Sequence, residues 1–351
     1  MKENIFDIII NDTKKIYDKK KYRFLKDKCV LITGSTGILG NYMVGFFLNS
    51  LKSKFKPKKI TLIFKSKLPA YLNFLKKNKR IKLVRKDLSL SKKINLKKQD
   101  YILHLAGYGQ PMRFMEDPIK TFELNTGSLN MLLKKINQNG SFLYLSSSEL
   151  YSGLNGKIKE DKIGLTNTNH PRACYIESKR GGEAIMNIYR EKFGINAKSA
   201  RLCLAYGPGT KLDDKRVLNQ FIEKALKLNS INMNDSGTAL RSYIYVADAT
   251  KMLLNILFYG KKPTYNVGGK EEISIIKLAK KISKILKVPV VAKKTSYSRG
   301  IGAPKNAFVN ISLYEKEFKN FKFIKLDEGL KKTIEWQKKL YKNGIKQKLK
   351  S

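Results

Sequence analysis

Short apolar runs and longer amphipathic runs alternate along roughly the first 200 residues of the chain. The short runs predict buried strands, and the longer runs, with apolar residues three or four positions apart, predict helices that cover a sheet. We predict strands near 28–33, 59–64, 81–84, 101–107, 141–151 and 197–206. Strands and helices that alternate in this way indicate a parallel, doubly wound α/β sheet.

The pattern becomes less regular beyond about residue 207. The elements predicted there are helices over 217–228, from Ser274 and around Trp336, and a strand over 241–246 that leads to Asp248 as a helix cap. Residues 1–26 form a polar, lysine-rich lead-in with a helix predicted around 6–17. The segment 289–310 is the least regular, and we expect a mobile loop there.

The composition indicates a folded enzyme-sized chain rather than a membrane or disulfide-rich protein. Hydrophobic residues make up 42% of 351 residues, yet no apolar run approaches the about 18 residues of a membrane span. Acidic residues accompany the first apolar run, so we do not interpret it as a signal peptide. Cys29, Cys174 and Cys203 are too far apart for a disulfide framework or a zinc site, so we expect no metal and a reducing cytoplasm.

Basic residues outnumber acidic ones by 72 to 28, which gives a formal net charge of +44. Such a charge is compatible with nucleic acid or with an anionic membrane surface. Only 11 of the basic residues are Arg, however, and the 61 Lys are spread along nearly the whole chain. Because recognition of bases and phosphates usually depends on Arg and on clusters, we favour a lysine-rich solvated surface without a specific nucleic-acid partner. The charge also suits an anionic substrate.

A glycine turn stands between the first predicted strand and the helix that follows it. Gly34, Gly37 and Gly40 have the spacing Gly-x-x-Gly-x-x-Gly. Glycines at such a junction let backbone N–H groups approach a pyrophosphate at the helix N-terminus. We therefore expect a dinucleotide cofactor, and the strand that ends at Leu105 and Ala106 should open beneath it.

The second predicted strand ends without the acid that often binds the ribose 2′-hydroxyl of NAD. Lys65 and Lys67 occupy this region. A cation there is compatible with the 2′-phosphate of NADP, and further loop lysines are an equally good interpretation. After the third strand, Asp87 and Leu88 are placed to meet an adenine edge. We expect His104 to be a packed strand residue rather than a catalyst.

Tyr175 and Lys179 lie four residues apart at the start of an amphipathic run that extends to about Phe193. On a helix they share one face, and an ammonium there would lower the pKa of the phenol from about 10 toward neutrality. Such a tyrosine is a usable general base. Because Tyr-x-x-x-Lys occurs by chance in a lysine-rich chain, a solvated helix face is the alternative.

Three serines and a glutamate, Ser146 to Glu149, end the strand that comes about 30 residues before this helix. Ligands of open α/β sheets bind at the carboxyl ends of strands. We therefore predict that these hydroxyls and the carboxylate lie near Tyr175, although a serine run is often only a loop.

These motifs form an ordered set that resembles the extended short-chain dehydrogenase/reductase family, the nucleotide-sugar epimerases and dehydratases. The set comprises Thr-Gly-x-x-Gly-x-x-Gly, Asp-Leu, His-Leu-Ala-Gly, Ser-Ser-Ser-Glu-Leu-Tyr, Tyr-x-x-x-Lys, Tyr-Gly-Pro-Gly and Arg-Ser-Tyr-x-Tyr-Val-x-Asp, over about residues 27–340. Within the family, three stretches are most like the UDP-glucuronate decarboxylases, at 117–132, 171–180 and 214–226.

The resemblance implies a Rossmann-type fold, NAD as cofactor with NADP not excluded, and a nucleotide-sugar substrate, UDP-linked. It implies a cofactor-binding set of Gly34, Thr36, Gly37, Ile38, Gly40, Asp87, Leu88, Leu105, Ala106, Asn125, Tyr175 and Lys179. It implies catalytic roles for Ser147, Glu149, Tyr175 and Lys179, and substrate-binding roles for Arg113, Arg216 and Arg241. It also implies a homodimer in which the helices after Pro118 and Pro171 pair across a two-fold axis.

The resemblance further implies a division of the chain into interleaved domains. The expected parts are an N-terminal extension at 1–26, a cofactor domain at 27–207 to which 242–265 return, a smaller α/β substrate domain at 208–241 and 266–340, and a basic tail at 341–351.

Departures from the family pattern keep other functions open. Leu204 stands where the family has an Asn that helps to hold the substrate nucleotide, and the segment 109–113 differs from that of the decarboxylases. The alternatives are a 4-epimerase or 4,6-dehydratase on another nucleotide sugar, and a non-catalytic RNA-binding protein on the same fold.

Overall fold

The computed structural model describes residues 4–293 and 306–348. The strands within these ranges are β1 Cys29–Thr33, β2 Lys59–Phe64, β3 Ile81–Arg85, β4 Gln99–His104, β5 Ile136–Ser147, β6 Asn196–Leu202, β7 Leu204–Tyr206, β8 Ile231–Asn232, β9 Leu240–Tyr245, β10 Thr264–Val267, β11 Glu272–Ser274, β12 Val290–Val291 and β13 Asn306–Ala307. The helices are α1 Asp7–Lys14, α2 Ile38–Leu51, α3 Pro111–Glu116, α4 Pro118–Asn125, α5 Gly127–Leu133, α6 Ala173–Phe193, α7 Val217–Leu228, α8 Val246–Tyr259, α9 Ile275–Leu286, α10 Ser312–Glu317 and α11 Leu326–Lys348.

Seven of the strands form one parallel sheet in the order β10-β6-β5-β4-β1-β2-β3. The strand order reverses beside β1, because β2 and β3 follow on one side and β4, β5 and β6 on the other. Ligands of open α/β sheets bind at the carboxyl edge of such a switch point. The parallel pairing and this strand order confirm the predicted doubly wound, Rossmann-type fold.

Both faces of this sheet are covered by helices. In β1, Val30 and Ile32 belong to the cluster that contains α2 and α8, whereas Leu31 between them packs with residues of α5 and α6. Successive strand residues point to opposite faces, so an unbroken apolar strand needs a cover on each side. This double cover leaves the carboxyl edge of the sheet as the place where polar side chains gather.

A smaller sheet lies in the C-terminal part of the chain. There β9 pairs with β7, β11 and β13, while β8 and β12 form a separate two-stranded sheet. The predicted strand over 197–206 is split at Cys203, so that β6 belongs to the large sheet and β7 to the small one. This split joins the two sheets at the site, and α8 and β10 then return to the large sheet.

Several predicted boundaries differ from the structure. Asp248 is not the cap of α8 but lies in its first turn, where its carboxylate accepts a hydrogen bond from the Ile324 N–H at 2.8 Å. The helix predicted from Pro118 is interrupted at Thr126, which has non-helical dihedral angles. The predicted strand 141–151 ends at Ser147, and a 3-10 turn follows. Most of the predicted loop 289–310, and residues 349–351 of the tail, lie outside the described residues.

The first 26 residues are more closely packed than a lead-in would be. Phe6, Ile9 and Leu25 are buried in the same core as α2. Asp12 of α1 is also buried, and its carboxylate accepts hydrogen bonds from the hydroxyls of Tyr42 and Tyr245. Lys332 of α11 completes the group at 2.7 Å from that carboxylate. We call these four residues the Asp12 cluster.

We predict that Asp12→Ala destabilises the protein strongly. Removal of one partner from a buried ion pair leaves an uncompensated charge and costs about 3–5 kcal/mol. The two tyrosine hydroxyls would lose their acceptor as well. Urea denaturation would measure the free energy of unfolding, and Asp7→Ala, on the exposed side of the same helix, should lower it by about 1 kcal/mol or less. Equal effects of the two changes would contradict the assigned role.

Candidate active site

The glycine turn lies at the strand-order switch point, between β1 and α2. Gly34 has φ +65°, and a Cβ there would lie 2.8 Å from Ala106 Cα. A Cβ at Gly40 would collide with the Gly34 carbonyl oxygen. Only glycine therefore permits this close backbone turn, which directs the first N–H groups of α2 toward the carboxyl edge of the sheet.

A cleft opens at this turn, and most of the predicted cofactor-binding residues line it. These are Gly34, Thr36, Gly37, Asp87, Leu88, Leu105 and Ala106. The cradle and the helix N-terminus fit a pyrophosphate. Ile38 and Gly40 lie behind the turn, and Asn125 is buried with its side-chain amide bonded to Thr121 O and Ser178 Oγ, so these three stay outside the lining.

Lys65 contacts Asp87 inside this cleft. Its ammonium lies 2.9 Å from the Asp87 carboxylate and 2.8 Å from the Tyr108 hydroxyl. These partners hold the pKa of Lys65 above its ordinary value, although burial opposes the shift. The Lys65 charge is thus engaged by the carboxylate that the sequence assigns to the adenine.

Arg113 also lines the cofactor cleft rather than the larger cavity beside it. It forms an ion pair with Asp213, and Lys211 lies on the same wall. His104 is buried as predicted, with its ring nitrogens bonded to Thr33 Oγ1 and Leu124 O. Burial lowers the pKa of His104 to about 3, so the ring is neutral and structural.

A second cavity of about 510 Å³ adjoins the cleft. It brings together all four predicted catalytic residues, Ser147, Glu149, Tyr175 and Lys179, with Arg216 and Arg241. Ser147 is the last residue of β5, Glu149 lies in the 3-10 turn that follows, and the other two lie on one face of α6. The cavity is lined by the carboxyl ends of β5 and β6 on one side and by the small sheet on the other.

Tyr175 lies in the first turn of α6, where the helix dipole favours an anion. Its ring stacks on Phe114, with the ring centroids 4.5 Å apart. Burial nevertheless raises the pKa of Tyr175 to about 12, and a hydrogen bond with Ser147 and the charge of Arg172 oppose this rise. The expected lowering of the phenol pKa toward neutrality is therefore wrong for the protein by itself.

The surroundings of Lys179 explain why the pKa of Tyr175 is not lowered. Its ammonium donates a hydrogen bond to the Leu145 carbonyl at 2.7 Å and lies 5.8 Å from the centroid of the Tyr175 ring. Burial lowers the pKa of Lys179 to about 7, so the side chain is only partly charged near neutral pH. Tyr175 and Lys179 share one helix face, as predicted. Both are buried, however, so burial disfavours the phenolate and the ammonium alike.

Glu149 is held by a residue that sequence reasoning did not single out for a role. Arg172 donates a hydrogen bond to Glu149 Oε1 at 2.7 Å, and the Arg172 side chain is only 5% exposed. Burial raises the pKa of Glu149, and the charges of Arg172, Arg241 and His170 oppose the rise. The position of Arg172, three residues before Tyr175, is the signal that could have identified it.

The remaining predicted arginines have different surroundings. Arg216 is the N-cap residue before α7. It forms a bidentate pair with Asp214, and its guanidinium also donates to Ala205 O. Arg241 in β9 donates to Leu240 O. Among the described residues, no group of three or more His, Cys, Asp or Glu side chains is placed to hold a metal ion.

The family comparison matches most of the chain. The sequence model of the family described as "NAD dependent epimerase/dehydratase family" matches residues 30–268 of this chain. UDP-glucuronic acid decarboxylase 6 of Arabidopsis thaliana is 29% identical over 275 residues, which cover 77% of this chain and 78% of that protein.

Solved structures agree with this fold. The UDP-glucuronic acid 4-epimerase of Bacillus cereus, in complex with UDP-glucuronic acid and NAD, superposes with a TM-score of 0.73 at 24% identity, covering 89% of this chain and all of that one. The epimerase Mth375 of Methanothermobacter thermautotrophicus gives 0.77 at 20% identity and covers 97% and 98% of the two chains.

We predict that the buried Lys179 makes stability depend on pH. Its folded pKa of about 7 lies below the unfolded value of about 10.4, so between these values the unfolded state binds more protons. The free energy of unfolding should therefore rise with pH in this window. Relative to Lys179→Met, the wild type should gain about 1–2 kcal/mol between pH 7 and pH 9.

Urea denaturation of the cofactor-free protein at each pH would check this. The control is Lys192→Met, an exposed position on the same helix. Its difference from the wild type should be the same at pH 7 and pH 9. A pH-independent difference for Lys179→Met would contradict the prediction.

Proposed function

The chain belongs to the NAD-dependent epimerase/dehydratase family, and from this membership we propose that it converts UDP-glucuronate to UDP-xylose by decarboxylation. The observation that carries the proposal is the mostly buried Glu149 carboxylate, which lies in the same cavity as Tyr175, Ser147 and Lys179. The similarity to a UDP-glucuronic acid decarboxylase of Arabidopsis thaliana supports it.

The chain uses NAD, as its family does. When bound, NAD would supply reversible hydride transfer at C4 of the sugar. Gly34, Gly37 and the N-terminus of α2 would hold the pyrophosphate, and Asp87 would bind the adenine. We propose weak discrimination against NADP, because Lys65 stands where an acid would repel the 2′-phosphate, although its charge is engaged by Asp87.

The lining of the substrate cavity suits an anionic sugar nucleotide. Its basic side chains are Arg172, Lys179, Lys215, Arg216 and Arg241, and its acidic ones are Glu149 and Asp235. A diphosphate and a carboxylate together bring three or more negative charges, so this excess of cations would favour their binding. Arg241 and Arg216 would hold the diphosphate, with Arg113 near the cofactor side.

The first chemical step requires a base at the sugar 4-hydroxyl. We propose that Tyr175 removes this proton, and that Ser147, whose hydroxyl helps to lower the pKa of Tyr175, orients the sugar hydroxyl. The positive end of the α6 dipole and a protonated Lys179 would favour the phenolate. Lys179 would also contact the ribose of the cofactor.

The second step follows from the chemistry of the 4-keto sugar. Its C5 carboxylate is then that of a β-keto acid, so CO₂ leaves without an acid and the electron pair remains as a delocalised enolate. Glu149 would orient the sugar or a water molecule that reprotonates C5. Ser148, in the position where the 4,6-dehydratases have an acid, has no carboxyl proton to donate to a leaving hydroxyl, which disfavours dehydration.

We predict that UDP-glucuronate supplied with the NAD-loaded protein loses CO₂ and yields a UDP-pentose, as mass spectrometry of the products would detect. Tyr175→Phe should lower the rate by about 10²–10⁴, because it removes the base alone. Glu149→Gln should also be much slower. Tyr189→Phe is the matched control, since Tyr189 lies on the same helix with its hydroxyl bonded to Asn130.

Two outcomes would contradict this proposal. If UDP-glucuronate is inert while a neutral hexose nucleotide is epimerised or loses water, the enzyme is an epimerase or dehydratase. If no nucleotide sugar in a panel reacts and RNA binds in a salt-titrated assay, the non-catalytic alternative holds.

We also propose a homodimer built on α4 and α6. Ile119 and Phe122 on α4 are 76% and 42% exposed, and Ile188 on α6 is 53% exposed. These two helices pack against each other, so their exposed apolar positions can form one continuous face, as a four-helix bundle would require.

The three free cysteines suit a reducing compartment, and we propose the cytoplasm. No helix in the described ranges is both long and apolar enough to cross a bilayer.

We predict that Ile119→Glu together with Ile188→Glu converts the dimer to a monomer, because each charge would lie in the proposed contact. Light scattering at micromolar concentration would give the mass. Val291→Glu is the control, since Val291 is 55% exposed in β12, which pairs with β8 away from α4 and α6. A wild-type monomer would contradict the proposed dimer.

A further inference from the structure

Arg172 is fixed to the start of the helix that carries the candidate base. It is the residue before α6, and its carbonyl accepts a hydrogen bond from the Tyr175 N–H at 3.1 Å. His170 binds the Arg172 N–H in turn, at 3.2 Å. Arg172 is 4% exposed, so its side chain has little freedom to leave the cavity wall.

One end of the Arg172 guanidinium holds Glu149. The hydrogen bond to Glu149 Oε1 is 2.7 Å long, and the Glu149 side chain is 21% exposed. The second carboxylate oxygen, Oε2, and the Nε of Arg172 are both buried, and within the described residues neither has a hydrogen-bond partner. Arg172 therefore binds one oxygen of Glu149, and the other remains a buried acceptor without a protein donor among the described residues.

The same guanidinium also lies close to Tyr175 through an aromatic ring. Its central carbon is 5.4 Å from the centroid of the Phe114 ring. Phe114 in turn stacks on Tyr175, with an angle of 11° between the two rings. A cation near an aromatic face is attracted to it, so Phe114 links Arg172 to the phenol as well as covering it.

We infer that Arg172 is a positioning residue that acts on both candidate proton-transfer groups, because it pairs with the Glu149 carboxylate and contacts Phe114, which stacks on Tyr175. This inference rests on the proposed function for its catalytic meaning. It departs from the expectation that the helix-face lysine is the cation of the site. Lys179 donates to the Leu145 backbone carbonyl, whereas Arg172 pairs with Glu149 and contacts the ring that stacks on Tyr175.

The charges around the two groups support this role. Burial raises the pKa of Glu149, and Arg172 is the first of the charges that oppose it, before Arg241 and His170. Around Tyr175, Ser147 and Arg172 lower the pKa, while burial and Glu149 raise it. Loss of Arg172 should therefore raise the pKa of both groups in the same direction, whereas a purely structural arginine would leave them unchanged.

The test compares Arg172→Gln and Arg172→Lys with the wild type, using the pH dependence of kcat/KM on the nucleotide sugar that the wild type converts. We expect Arg172→Gln to move the acidic limb of the profile upward by at least one pH unit and to lower kcat at least tenfold at pH 7.5. Arg172→Lys should shift the limb less, because it keeps the charge but loses the planar fork. Arg180→Gln is the control, since Arg180 lies on the same helix in a pair with Glu177; it should lower the melting temperature without shifting the limb.

A second readout is independent of catalysis. In Arg172→Gln, the buried Glu149 has lost its nearest cation, so its raised pKa makes stability fall as pH rises above the unfolded value of about 4.3. The melting temperature of Arg172→Gln should thus drop, relative to the wild type, between pH 5 and pH 8. The double variant Arg172→Gln/Glu149→Gln should not show this drop.

The outcomes separate the two proposals. If no UDP-glucuronate is converted, the decarboxylase proposal fails and the melting measurement alone decides the role of Arg172. An Arg172→Gln profile that superposes on the wild type after scaling would overturn the inference. So would a pH-dependent loss of stability that persists in the double variant. If Arg172→Gln does not fold, an Arg172→Lys profile with an unshifted limb would overturn it.

Discussion

Loss of solvation is the constraint on which this site depends. Where the two sheets meet, Tyr175 and Lys179 are buried and Glu149 is mostly buried, with 21% of its side chain exposed. Burial disfavours the charged form of each. Water cannot stabilise their ions there, so their protonation depends on a few fixed charges and dipoles. Arg172, the start of α6 and the backbone carbonyl of Leu145 are the groups that the fold supplies for this purpose.

The fold provides these groups because a change in strand order, a strand end and a crossing between sheets coincide at the carboxyl edge of the large sheet. The strand order turns beside β1, β5 ends in the serines, and the chain leaves β6 to enter β7 in the other sheet. Each event exposes strand ends on the same side. The cleft at the glycine turn and the larger cavity are therefore neighbours, and the cavity that contains Tyr175 extends to β9 and α7.

Much of this arrangement could be predicted from the sequence because it depends on local patterns. The glycine turn, the strand that ends at Ser147 and the helix with Tyr175 and Lys179 are each specified by residues close in sequence. The spacing wrongly predicts a lowered pKa for Tyr175, because burial, which the spacing does not show, raises that pKa instead. The Glu149 partner was missed for a similar reason, as Arg172 lies 23 residues away. The ion pair between Lys65 and Asp87 could not be predicted either, because it depends on how β2 and β3 are aligned in the sheet.

The Asp12 cluster has a consequence for the order in which the chain folds. Asp12 and Lys332 are 320 residues apart, so their contact has a very high sequence separation, and such contacts form late because they close a long loop. During synthesis on the ribosome, α1 emerges long before α11 exists. The Asp12 carboxylate must then stay hydrated, which favours an undocked α1 until the last helix arrives. The beginning of the chain is thus expected to join the native structure near the end of folding.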